Sequence, residues 1–136
     1  MTIRITHVIS SINPATGGTI ESLKLRNRLY KKLGFECEII TLDIVLKKFL
    51  KDKNLPRVRF SGKSRFTIIN YFNLLKWLYT NIKRYDLIIC DGIWEFINYV
   101  VYKFANKNNI NYMVQIHGML DPWFNKKKLK YIKKLI

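Results

Sequence analysis

The chain has 136 residues, 49 % of them hydrophobic and 25 % charged, enough for one domain with its own core and too few for two. That balance excludes a disordered chain, and no apolar run approaches the length needed to span a bilayer. The net charge of +16 favours an anionic partner, whether nucleic acid, a membrane surface or a phosphorylated substrate, and does not choose among them.

Taken in order, "IRITHVI" (3–9) is β-branched and apolar, and is expected to be a strand buried on both faces. It opens the chain in place of a basic segment followed by an apolar one, so no signal peptide is expected. "SSINPATGG" (10–18) is rich in turn formers. A helix follows from about Thr19 to Leu33, with Ile20, Leu23, Tyr30 and Leu33 near one face, and Gly34 ends it. "ECEIITL" (36–42) is the second strand, residues 43–55 are basic and helical or irregular, and "RVRFSG" (57–62) is a possible third strand.

Ile68, Tyr71, Phe72, Leu75, Leu78, Tyr79 and Ile82 then follow helical spacing over four turns, which predicts an amphipathic helix. "YDLIICDG" (85–92) is a strand running into a turn. "WEFINYVVYKFANKNN" (94–109) is apolar around most of a helix and is expected to be well buried. "INYMVQIHG" (110–118) is the fifth strand. A last helix is expected over 121–136, with Asp121 at its N-cap and Pro122 at its first position. Strands alternating with helices predict an α/β fold, doubly wound around a mostly parallel sheet.

In such a sheet ligands collect beyond the C-terminal ends of the strands. Three stretches converge there: "NPATGG", "DGIWE" and "HGMLDPW". Gly17 and Gly18 precede the first helix, where free N–H groups favour an anion, with Thr16 and Thr19 as hydroxyl donors. They are equally a turn and an N-cap. G-x-G-x-x-G and the Walker A loop are both absent. His117 could orient a polar substrate group or be structural; His7, inside the first strand, is expected to be structural. Asp91 and Glu95 flank Trp94, and either could hold a substrate hydroxyl or solvate a loop.

Cys37 and Cys90 lie in separate apolar runs and are expected to be buried thiols in a reducing cytoplasm. No histidine or cysteine spacing suggests a metal, and no cofactor is expected. Lys126, Lys127, Lys128 and Lys130 lie on the last helix beside Leu129, Ile132 and Ile136. They could face an anionic membrane or merely be solvated.

"THVISSINPATGGTIESLKLRNRLYKKLGFECEIITLD", "YDLIICDGIWEF" and "YMVQIHGMLDPWFNKKKLKYIKKLI" together resemble the N-terminal half of a family 4 glycosyltransferase, of the bacterial kind that builds cell-surface polysaccharides or glycolipids. The resemblance implies a GT-B enzyme of two Rossmann-like domains. The acceptor, lipid- or polysaccharide-linked, sits mainly on the N-terminal domain and the nucleotide-sugar donor mainly on the other. It implies that Gly17, Gly18 and Thr19 face the donor diphosphate. It further implies that His117 contacts the transferred sugar as the catalytic position, and that Asp91, Trp94, Gly118 and Asp121 line the same cleft.

Such enzymes retain anomeric configuration without a bound metal, the leaving phosphate deprotonating the acceptor hydroxyl. One departure is Asp91, where similar sequences often have histidine before Gly-Leu-Trp. Another is the family's Glu-x7-Glu element, which has no counterpart here. Residues 1–136 are therefore expected to form one truncated, acceptor-side Rossmann-like domain, inactive alone, with a separate C-terminal half as a partner. The expected location is cytoplasmic, with peripheral contact at the inner face of the membrane, and nucleic acid is not an expected partner. The alternative, from charge alone, is a small basic module that binds an anionic membrane or nucleic acid.

Overall fold

The computed structural model describes residues 2–118 apart from 17, 47, 66 and 94. Five strands, β1 (Arg4–Val8), β2 (Glu36–Ile40), β3 (Arg57–Phe60), β4 (Leu87–Asp91) and β5 (Asn111–Gln115), alternate with three α-helices, α1 (Thr19–Lys32), α2 (Thr67–Asn81) and α3 (Phe96–Lys107). The strands form one sheet in the order β3-β2-β1-β4-β5, and every pairing is parallel. The fold is a Rossmann-like, doubly wound α/β domain.

Alternation along the strands divides the core in two. Val8, Ile40, Ile88 and Cys90 pack with Leu74 and Leu78 of α2 and Val101 of α3. Ile9 and Ile39, their neighbours in sequence, pack on the opposite face with Ile20 and Leu23 of α1. Successive strand residues point to opposite faces, so a central strand covered by helices on both sides must be apolar throughout. β1 and β4 are buried beyond their first residues, and Thr6, His7 and Asp91 are their polar exceptions.

The strand ends have local causes. Gly34, at φ 75°, ends α1 in a conformation glycine adopts at little cost. β4 stops at Asp91 because Gly92 takes φ 107°. β5 stops at Gln115, short of the expected 118, because His117 and Gly118 turn to φ 47° and 71°. After β3, Gly62 lies so close to the Leu42 carbonyl oxygen and the Asn70 amide that no side chain fits. Asn70 Oδ1 accepts from the backbone N–H groups of Lys63 and Ser64, and its Nδ2 donates to the Ser64 carbonyl.

Three burial expectations are corrected. α2 buries Asn70, Leu74 and Leu78, whereas Ile68, Phe72, Leu75 and Tyr79 are exposed. α2 has apolar residues on two sides, and the Asn70 bonds select which one meets the sheet. α3 buries Ile97, Asn98, Val100, Val101 and Ala105, whereas Phe96, Tyr99 and Tyr102 are exposed among the described residues. Leu33, expected on the buried face of α1, is its exposed C-cap. The 43–55 stretch contains a short 3-10 turn, Phe49–Lys51. Among the described residues no helix is long and apolar enough to cross a membrane.

Candidate functional site

The parallel register brings the ends of β1, β4 and β5 together. His7 pairs with Ile89 on β4, and Asp91 pairs with Gln115 on β5. His7 and Asp91 both point to the α1 side of the sheet, since each is one residue out of phase with Val8 and Cys90 of the opposite core. His117 follows two residues after β5. The three side chains meet: Asp91 Oδ2 lies 2.6 Å from His7 Nδ1, and Asp91 Oδ1 lies 2.7 Å from His117 Nε2.

α1 supplies the other wall. Ser22, Arg26 and Tyr30 recur every four residues and so share one face. The Arg26 guanidinium donates to Ser22 Oγ and to the Gln115 side-chain oxygen, and it stands 3.6 Å from Asp91 Oδ1. The Tyr30 hydroxyl is 3.3 Å from His7 Nε2.

Protonation follows from these contacts. Burial pushes the Asp91 carboxyl up, but the hydrogen bonds and charges of His7 and then His117 outweigh it and hold the group below the usual carboxylate range. An ionised carboxylate only accepts, so His7 must donate from Nδ1 and His117 from Nε2. His7 Nε2, the other ring nitrogen, faces the Tyr30 hydroxyl. His117 has Nδ1 as its second polar atom, on a side chain 18 % exposed. Asp91 thereby fixes both the tautomer and the orientation of His117, as a carboxylate does for a working imidazole. The backbone of His117 adds to this. A non-glycine residue at φ 47° costs energy that its surroundings must offset, and such residues cluster at functional sites.

Gly18 occupies the N-cap position of α1, with its carbonyl accepting from the Ser22 N–H. Its φ of −68° is open to any residue, and a Cβ there would meet nothing within 4 Å. Among the described residues neither strain nor packing demands glycine at this position. Thr19 is the first residue of α1 and half-exposed, and Gly118 is exposed beside His117. Gly17, Trp94, Asp121, Lys126, Lys127, Lys128 and Lys130 lie outside the described residues.

His7, expected to be structural, belongs to this cluster, and Arg26, Ser22, Tyr30 and Gln115 were not singled out by the sequence. The available signal was weak: Ser22, Arg26 and Tyr30 recur at four-residue spacing, on a helix that is polar over most of its surface. Both thiols are pushed up to about 12 by burial, which leaves them unreactive at neutral pH. Among the described residues no group of histidine, cysteine and carboxylate side chains is arranged to hold a metal. A cleft of about 800 Å³ lies instead near the N-terminal ends of β2 and β3, lined by Glu36, Glu38, Arg57 and Arg84. Glu38 stands 4.0 Å from Arg84 there, and the cleft holds neither of the two histidines. No family model matches the chain, and no curated protein matches it.

Proposed function

We propose that the chain is the acceptor-side domain of a retaining family 4 glycosyltransferase, which transfers a sugar from a nucleotide-sugar to a cell-surface polysaccharide or glycolipid. The observation that carries this reading is His117, held through Nε2 by buried Asp91 at the C-terminal end of β5, with its side chain still 18 % exposed. An imidazole held in that way offers Nδ1 for a hydrogen bond with a sugar hydroxyl and fixes its orientation. Holding reactants in register is a large part of the rate enhancement available to such a transfer. Gly18 and the α1 N-terminus offer backbone N–H groups to an anionic group such as a diphosphate. Arg26 keeps Gln115, and with it the end of β5, against α1.

The ribose and sugar contacts that the resemblance assigns to Glu-x7-Glu are not among these 136 residues, so transfer by this chain alone is not expected. Binding is the sharper test. Nucleotide-sugars and lipid-linked acceptor saccharides should be titrated in turn while the His117 imidazole resonances are followed by NMR. At least one sugar ligand should shift them saturably, and His117→Ala should weaken that ligand about tenfold, the worth of one good hydrogen bond. Asp91→Asn should weaken it as well. If no sugar ligand perturbs His117, the reading fails.

A further inference from the structure

His7 is the odd residue in its row of the sheet. It pairs with Ile39 on β2 and with Ile89 on β4, both buried, and its own side chain is fully enclosed. An imidazole in that place costs free energy unless its ring nitrogens are bonded, and an aliphatic side chain would fill the space without the cost. Nδ1 meets Asp91 Oδ2 at 2.6 Å, while Nε2 lies 3.3 Å from the Tyr30 hydroxyl. The α1 hydroxyl thus holds the far edge of the ring and leaves the near edge to the carboxylate.

The two oxygens of Asp91 are divided between two sets of neighbours. Oδ1 has His117 Nε2 at 2.7 Å and the Arg26 guanidinium at 3.6 Å. Among the described residues Oδ2 has only His7. Against burial, which pushes the Asp91 carboxyl up, the hydrogen bond and charge of His7 do more than those of His117 to hold it low. Without the His7 donor, Oδ2 would be a buried carboxylate oxygen with no partner, and a proton on Asp91 would relieve it. The nearest proton is the one on His117 Nε2. Its transfer conserves protons and charge: Asp91 Oδ1 gains the hydrogen, the His117 imidazolium loses it, and an ion pair becomes a neutral pair. The neutral ring so formed accepts from Asp91 at Nε2 and carries its hydrogen on Nδ1, which is then a donor only.

We infer that His7 is a positioning residue: by donating to Asp91 Oδ2 it keeps the carboxylate acceptor-only, and so sets neutral His117 with its hydrogen on Nε2 and with Nδ1 as an acceptor. His7 thereby selects a ligand group that can donate, such as a hydroxyl, over one that can only accept. The inference rests on the reading of His117 as the ligand-facing group, but its test contains no ligand. The spectra below can come out as expected while no sugar binds, which would sink the sugar-transfer reading alone. They can equally fail while sugar binds, which would sink the role of His7 alone.

The chain has only two histidines, so two-bond 1H–15N spectra of the 15N-labelled full chain resolve every imidazole nitrogen. The set lost in a His7 variant assigns the other to His117. Over a pH series the unsubstituted chain should show two forms of His117, the imidazolium and the neutral ring protonated at Nε2. His7→Leu should add the neutral ring protonated at Nδ1. The ratio of that form to the imidazolium should rise about tenfold or more at a given pH, the effect of one lost hydrogen bond to an ionised group. His7→Asn supplies an amide N–H in place of the ring Nδ1–H and should restore the pattern of the unsubstituted chain. Circular dichroism should verify that both variants are folded. A folded His7→Leu variant with only the original two forms would overturn the inference. So would a His7→Asn variant that matches His7→Leu, because loss of the ring and not of the hydrogen bond would then be the cause. Should His7→Leu not fold, the other two proteins decide. The Nδ1-protonated form in the unsubstituted chain or in His7→Asn would overturn the inference, and its absence from both would support it.

Discussion

A carboxylate whose side chain is 1 % exposed persists in its charged form only where its neighbours replace the water it lost. Asp91 has such neighbours in His7, His117 and Arg26, and a proton is correspondingly harder to add to it in the folded chain than in the unfolded one. A carboxyl with a depressed folded pKa contributes stability that is complete above its unfolded pKa, about 4. That contribution drains away as the pH falls through the lower, folded value. Urea midpoints measured from neutral pH down to about pH 2 should therefore fall on the acid side. Asp52 is also held low, by its hydrogen bond from Lys24, so the comparison that isolates Asp91 is with Asp91→Asn. This variant should be less stable at neutral pH by about 3 kcal/mol, the cost of breaking a buried pair, and its acid slope should be shallower. Parallel pH profiles for the two proteins would mean that Asp91 is not the group responsible.

At the scale of elements, the two sides of α2 should answer differently to the same truncation. Leu74 is fully buried between the sheet and α3, so Leu74→Ala should cost about 2–5 kcal/mol in transfer and cavity terms. Ile68→Ala, at the exposed end of the outer stripe, should stay within about 0.5 kcal/mol. Equal losses in thermal or urea unfolding would show that the outer stripe is covered in solution. The sequence displayed the period of this helix plainly but not its rotation, because Leu74 and Leu78 on one side and Ile68, Phe72 and Leu75 on the other are equally apolar. What sets the rotation is Asn70, buried because it caps a loop, and no hydropathy pattern contains that bond. The strands were legible because short apolar runs such as "IRITHVI" and "YDLIIC" leave little choice, and their parallel order puts the three strand ends together. The membership of the site was not legible. His7 enters it by facing α1 and not α2, and Arg26 by a helix rotation fixed through Ile20 and Leu23.

For the molecule as a whole, the excess of positive charge bears on what the open sheet can do. Among the described residues β3 and β5 are its two edges. β3 carries Arg57 and Arg59, and charge on an edge strand discourages pairing with another chain. β5, "NYMVQ", has no charged residue, and Met113 is 48 % exposed. Two copies could pair through β5 and close as an isologous dimer, with the net +16 on each as the opposing force. That force reaches about 30 Å at 0.01 M salt and about 8 Å at 0.15 M. Sedimentation should accordingly find a monomer at the lowest ionic strength and growing association as salt is added. Met113→Lys should suppress the association at every salt concentration, whereas Phe72→Glu on the α2 face should leave it unchanged. A chain monomeric at all ionic strengths would show that the β5 edge is protected by something other than charge. Association insensitive to salt would show that charge does not guard it at all.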